Sequence, residues 1–284
     1  MATSCRYEFQ AKHFGFTDAT PDLFHQIQWT KNRWVFLGYR FFMAAYCIAW
    51  FLYAYIDVRN DNFYQLLSNW TEGVMNVYFL WAFFVSIYAV VTRKRYFEQT
   101  LGKLRWFHIV NWLLFCVAAD AVFQISIFYW ALIAPGRTAE QNLRPVTFHI
   151  HATNSILLLI DIFMVAFPTR LLHFIYTVLY GVLYAVALLV FHFTGLNSQV
   201  YSVIDFANSP GIAAAYVVVS VVIFPTILHS VVFGFYHLRA FIARNTVLKD
   251  SSTSRPAGNL EMGTFNQAFE DTSPSTHHNG TLKS

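Results

Sequence analysis

Two short runs hold the side chains best suited to chemistry. Ser68, Thr71 and Glu72 fall within five residues of one another, and His149, His151 and Asn154 within six. A hydroxyl beside an imidazole beside a carboxylate is the raw material of acyl transfer, with Ser68 or Thr71 as nucleophile and His151 as base. Further polar residues stand in apolar surroundings: Asn76, Asp120, Gln124, Ser155 and Asp161. At 100° per helical residue, Asn154 and Asp161 lie within about 20° of each other and His151 about 80° away, one stripe on one helix. Asp120 and Gln124 share a face, as do Glu72 and Asn76. The same residues have a second reading, in which they hydrogen-bond between helices and fix the packing. His173, His192, His229 and His237 have no regular ligand spacing, so no metal and no cofactor are expected. Cys5, Cys47 and Cys116 are an odd set that defines no disulfide framework.

These side chains need elements to hold them, and the elements are long apolar runs. The 284 residues are 56% hydrophobic and 19% aromatic but only 12% charged, against about 25% charged in a soluble domain. A surface that faces water needs charge; one that faces lipid does not. A membrane span takes about 20 mostly apolar residues. Six stretches qualify: Trp34–Ile56, Trp70–Val91, Trp106–Ala134, Phe148–Phe167, Leu171–Phe193 and Ala213–Leu238. The fourth is expected to stop at Pro168, whose ring and missing N–H end a helix. Pro225 is expected to kink the sixth, and Gly181 to let the fifth approach a neighbour closely. The fold class is therefore all-α, a polytopic bundle of six transmembrane helices. No continuous apolar core occurs in the first thirty residues, so the first span is expected to serve as the insertion signal.

Charge sorts by side. Of the 19 Lys and Arg, Arg59, Arg137 and Arg144 fall in the loops on one side, and the rest, Arg40 included, on the side of the termini. The positive-inside rule then puts both termini in the cytoplasm. Residues 1–33 form a cytoplasmic N-terminal segment, 34–239 the six-helix domain and 240–284 a polar tail expected to be disordered. Charge sorted in this way excludes nucleic acid as a partner. The expected partners are the bilayer, other membrane proteins and fatty-acyl lipids.

At the fourth span the sequence reads His151-Ala152-Thr153-Asn154-Ser155-Ile156-Leu157-Leu158-Leu159-Ile160-Asp161, then Phe167-Pro168-Thr169-Arg170-Leu171-Leu172-His173 and Tyr180-Gly181-Val182-Leu183-Tyr184. With Phe9–Phe16, Gln28-Trp29, Leu66–Thr71 and Asp205–Gly211, this ordered set resembles the rolling stone family of multi-pass membrane proteins over roughly Phe9–Arg239. The resemblance implies a plasma-membrane protein acting in cell–cell (myoblast) fusion or muscle differentiation, with no biochemical mechanism attached. A more distant similarity is to the androgen-induced membrane hydrolases, which cleave fatty acid esters of hydroxy fatty acids with an intramembrane threonine and a histidine base. By block order that threonine falls at Ser68, and the histidine of the His-x-x-His pattern at Asn154. Asn is no base at neutral pH, which leaves His151, one turn away, as the base of any such enzyme.

Overall fold

The computed structural model describes residues 7–30, 32–57, 65–194, 201 and 204–253. Six helices among them are long and apolar enough to cross a membrane: α1 (Arg33–Asp57), α2 (Leu67–Val91), α3 (Trp106–Gly136), α4 (Pro145–Met164), α5 (Leu171–Phe193) and α6 (Pro210–Thr246). The expected all-α bundle of six apolar helices is the observed one. The sixth helix runs on through Thr253, into the segment expected to be disordered; residues 254–284 lie outside the described ones.

Helix α3 is the axis. Of its most apolar stretch 67% is buried, against 17% for α5 and α6. Trp112, Phe115, Cys116, Ala119 and Val122 of α3 meet Met75, Tyr78 and Phe79 of α2 and Leu158 and Ile162 of α4. Small residues at 118, 119 and 121 let neighbours approach, as apolar helices must when lipid supplies no hydrophobic drive between them.

The N-terminal segment belongs to the bundle and caps one end of it. Phe24 enters the core and stacks on Phe167 at 4.8 Å. Arg170 donates to Glu8 at 3.3 Å, and the Trp29 indole donates to the Phe163 carbonyl at 2.9 Å. This cap also explains where α4 ends. The helix stops at Met164 and not at Pro168, because Val165 turns extended (ψ 152°) to pair with Ile27 while Gln28 N–H bonds the Met164 carbonyl at 2.9 Å. In a continued helix Pro168 could neither bond nor tolerate the Met164 carbonyl; the strand-like pairing gives that carbonyl a donor from Gln28 instead.

At the other, open end, three helices leave α geometry for a π turn: Tyr129–Ile133 in α3, His149–Thr153 in α4 and Val219–Ile223 in α6. The last precedes Pro225, which can neither bond nor tolerate the carbonyl of Val221, so the expected distortion takes the form of a π turn. A Cβ at Gly181 would stand 3.1 Å from Val221 Cγ1 and 3.4 Å from its Cα, so the close α5–α6 crossing depends on glycine. Helix α6 starts from a turn in which Asp205 accepts from the N–H groups of Ala207 and Asn208, each at 3.0 Å, with Pro210 in the first helical turn. The Asn208 side chain also donates to Asp205 and, with those amides, holds its carboxyl below the usual range.

Candidate functional site

Among the described residues, three buried carboxylates within the spans organise the interior. Asp161 on α4 is fully buried and accepts from the Tyr39 hydroxyl and Arg40 Nη1 of α1, each at 2.7 Å, and from the Tyr78 hydroxyl of α2. Arg40 Nη2 reaches the Tyr78 oxygen at 3.1 Å, and the guanidinium lies 4.8 Å from the Phe36 ring centroid. Arg40 was expected among the cytoplasmic cations. It is 1% exposed and points into the bundle, where the Asp161 carboxylate compensates its charge.

Asp120 on α3 accepts from the Thr177 hydroxyl of α5 at 2.7 Å and faces His229 Nδ1 of α6 at 2.8 Å. His229 Nε2 lies 2.9 Å from the Arg170 carbonyl. Both ring nitrogens thus stand against hydrogen-bond acceptors. Glu72 on α2 accepts from Asn154 of α4 and, at 3.1 Å, from Asn76. His149 Nε2 stands 3.7 Å from Glu72, its ring stacked on Trp50 at 4.3 Å. The Ser126 and Ser155 hydroxyls meet across α3 and α4 at 2.5 Å. Through these contacts every one of the six helices is tied to another by a buried polar bond.

The candidate nucleophiles and base sit at the open end. A cavity of about 680 Å³ there is lined by Ser68, Gln124, Tyr129, His151 and Tyr184 among mostly apolar neighbours. Ser68 and His151 share this cavity, and no hydrogen bond joins them among the described residues. The His151 ring stacks flat on Tyr129 at 3.8 Å, and its buried Nδ1 has no hydrogen-bond partner among the described residues. Thr71 is buried outside the lining, its hydroxyl beside that of Tyr180. Gln124 donates to the Ser220 carbonyl at 2.8 Å, within the π turn of α6. Asn154 and Asp161, in the regular helix after the π turn, keep one face and meet Glu72 and Tyr78 of α2, whereas the π turn at His149–Thr153 shifts His151 out of that stripe and toward the cavity. An unbroken 100° periodicity could not foresee that.

Two further buried cations were not singled out from the sequence. Arg239 is 1% exposed and closes the end of α4, donating to the carbonyls of Ile162 and Phe167 at 2.6 and 2.8 Å. Arg170 joins the cap to α5. Both stand at the edge of an apolar run, where a basic residue ordinarily reads as a flank.

Known proteins bear on this arrangement. The family model described as Protein rolling stone matches residues 1–254. The chain belongs to the rolling stone family. The Protein rolling stone of Drosophila melanogaster is 25% identical over 218 residues, covering 71% of this chain and 78% of that protein. No solved structure matches. With its six apolar helices, this member of the rolling stone family is a multi-pass integral membrane protein.

Proposed function

We propose that the protein is a non-enzymatic plasma-membrane component of cell–cell fusion, with both termini cytoplasmic and its intramembrane polar groups holding the bundle together. What supports this reading is the use made of the carboxylates. Glu72, Asp120 and Asp161 each accept a hydrogen bond from another helix, and among the described residues no histidine is bonded to Ser68 or Thr71. Ionisable groups at membrane depth are costly and persist where they have partners; here the partners lie on neighbouring helices. The fusion role comes with family membership and concerns the surface this bundle presents.

A cell-mixing assay tests the reading. Cells carrying the protein are expected to form multinucleate cells more often than cells lacking it, in proportion to its surface level. Equal fusion at a confirmed surface level would overturn it. A second reading, an intramembrane lipid esterase with Ser68 or Thr71 as nucleophile and His151 as base, draws on the one cavity that Ser68 and His151 line together.

A further inference from the structure

The open-end cavity coincides with the place where three helices abandon regular geometry. Tyr129 and Leu132 of the α3 π turn, His151 of the α4 π turn and Ser220 of the α6 π turn all line it. Such bulges recur at functional sites, and three converging on one space hold it open against close packing. Its size falls within the roughly 300–1,000 Å³ of small-ligand sites. The walls are mostly apolar, with Ile125, Leu188 and Phe224 prominent. Leu132 and Tyr216 both line it and are exposed, so the space opens to the surface of the bundle.

Its polar features gather at the rim. Arg144 is paired with Asp57 at 3.5 Å, whereas Arg137 has no carboxylate partner among the described residues. The Arg137 guanidinium stands 5.8 Å from the Tyr129 ring centroid, and Tyr129 in turn stacks on His151. His151 Nδ1 is a buried polar atom with no hydrogen-bond partner among the described residues. Among the described residues, one cation without a carboxylate partner and one unbonded buried imidazole nitrogen suit a single negative charge better than the double charge of a phosphate monoester.

From this we infer that the cavity is a binding site for a long-chain fatty acid, its carboxylate held by Arg137 and the His151 Nδ1–H and its chain laid along the apolar walls. His151 is here a donor to a head group rather than a catalytic base. The site goes beyond the fusion reading and does not depend on it.

The test uses full-length protein in phosphatidylcholine nanodiscs, irradiated with a diazirine-tagged palmitic acid and mapped by mass spectrometry. Labelling is expected on the α3 and α5 segments that line the cavity. Free palmitate should compete for the probe, and hexadecanol, which lacks the charge, should compete about tenfold less well, the equivalent of one charge-assisted hydrogen bond. Ala185→Trp on α5 and Ala131→Trp on α3 fill the space from different helices, and each should abolish the labelling. Arg137→Gln and His151→Ala should each weaken binding about tenfold. Labelling spread over the outer faces of the spans and indifferent to both tryptophans would mean annular lipid only, and the proposal would fail. Equal competition by hexadecanol would remove the carboxylate site. Should one tryptophan variant misfold, the other and the competition series still decide.

Discussion

Replacing Asp161 with Leu removes the acceptor shared by Tyr39, Arg40 and Tyr78 and leaves a guanidinium 1% exposed with no counter-charge. Breaking a buried pair from one side costs about 3–5 kcal/mol, because the surviving charge stays buried. The two orphaned tyrosine hydroxyls add to that, by about 1–3 kcal/mol each if neither finds a new acceptor. Arg40→Met should cost about as much, since it strands Asp161 in turn. The double variant Arg40→Met/Asp161→Leu removes both charges together, and what remains is the hydroxyl cost. It should therefore be more stable than Asp161→Leu alone. The assay is reversible unfolding in mixed detergent and SDS, followed by tryptophan fluorescence, on the parent, the two single variants and the double variant. Single-variant costs that sum to the double-variant cost within about 0.5 kcal/mol, the limit for independent sites, would refute the coupling argued here. So would an Asp161→Leu protein as stable as the parent.

Other parts of the account are open to equally direct checks. Gly181→Val pushes a branched side chain against Val221 and should cost about 1–3 kcal/mol by overpacking, read as a lower thermal midpoint; an unchanged midpoint would mean that α5 and α6 do not cross there. Cys47 and Cys116 are both 0% exposed and should resist maleimide in the folded protein and react in SDS; rapid labelling of the folded form would contradict the packing around α3. An epitope after Ser284 should be protected in intact cells and one inserted between Gly136 and Asn142 exposed. Staining of the C-terminal tag at the surface would reverse the proposed orientation.

The helices were legible in the sequence because lipid imposes a length and a composition that few other environments tolerate, and six runs met both. That Asp161 would be buried was legible too, since a carboxylate in mid-span has to find a partner. Its partner was not. Arg40 stands eight residues into α1, near enough to the end to read as a flanking cation, and periodicity within one helix does not say which helices are neighbours. His151 leaves the stripe it would share with Asn154 and Asp161 for a different reason: a π turn rephases the helix before Asn154, at a position that no residue type announces. The cap was hidden because residues 7–30 hold Phe24 and Trp29 without helical or alternating spacing. They find their places through tertiary contacts with Phe167 and the Phe163 carbonyl. The Asp205–Gly211 block, by contrast, is a local device, an acidic side chain capping a turn before a proline-initiated helix, and its logic is visible in the residues themselves.

The central claim is that the intramembrane hydroxyls and carboxylates work by packing and not by proton transfer, and Ser68 and Thr71 are where it can be tried most directly. Purified protein in nanodiscs can be treated with a fluorophosphonate, which modifies only a hydroxyl activated by a neighbouring base, and the adducts located by peptide mass spectrometry. The account predicts no adduct on Ser68 or Thr71, in the parent and in His151→Asn alike. An adduct on either hydroxyl of the parent that disappears in a normally folded His151→Asn variant would contradict it and establish the esterase in its place.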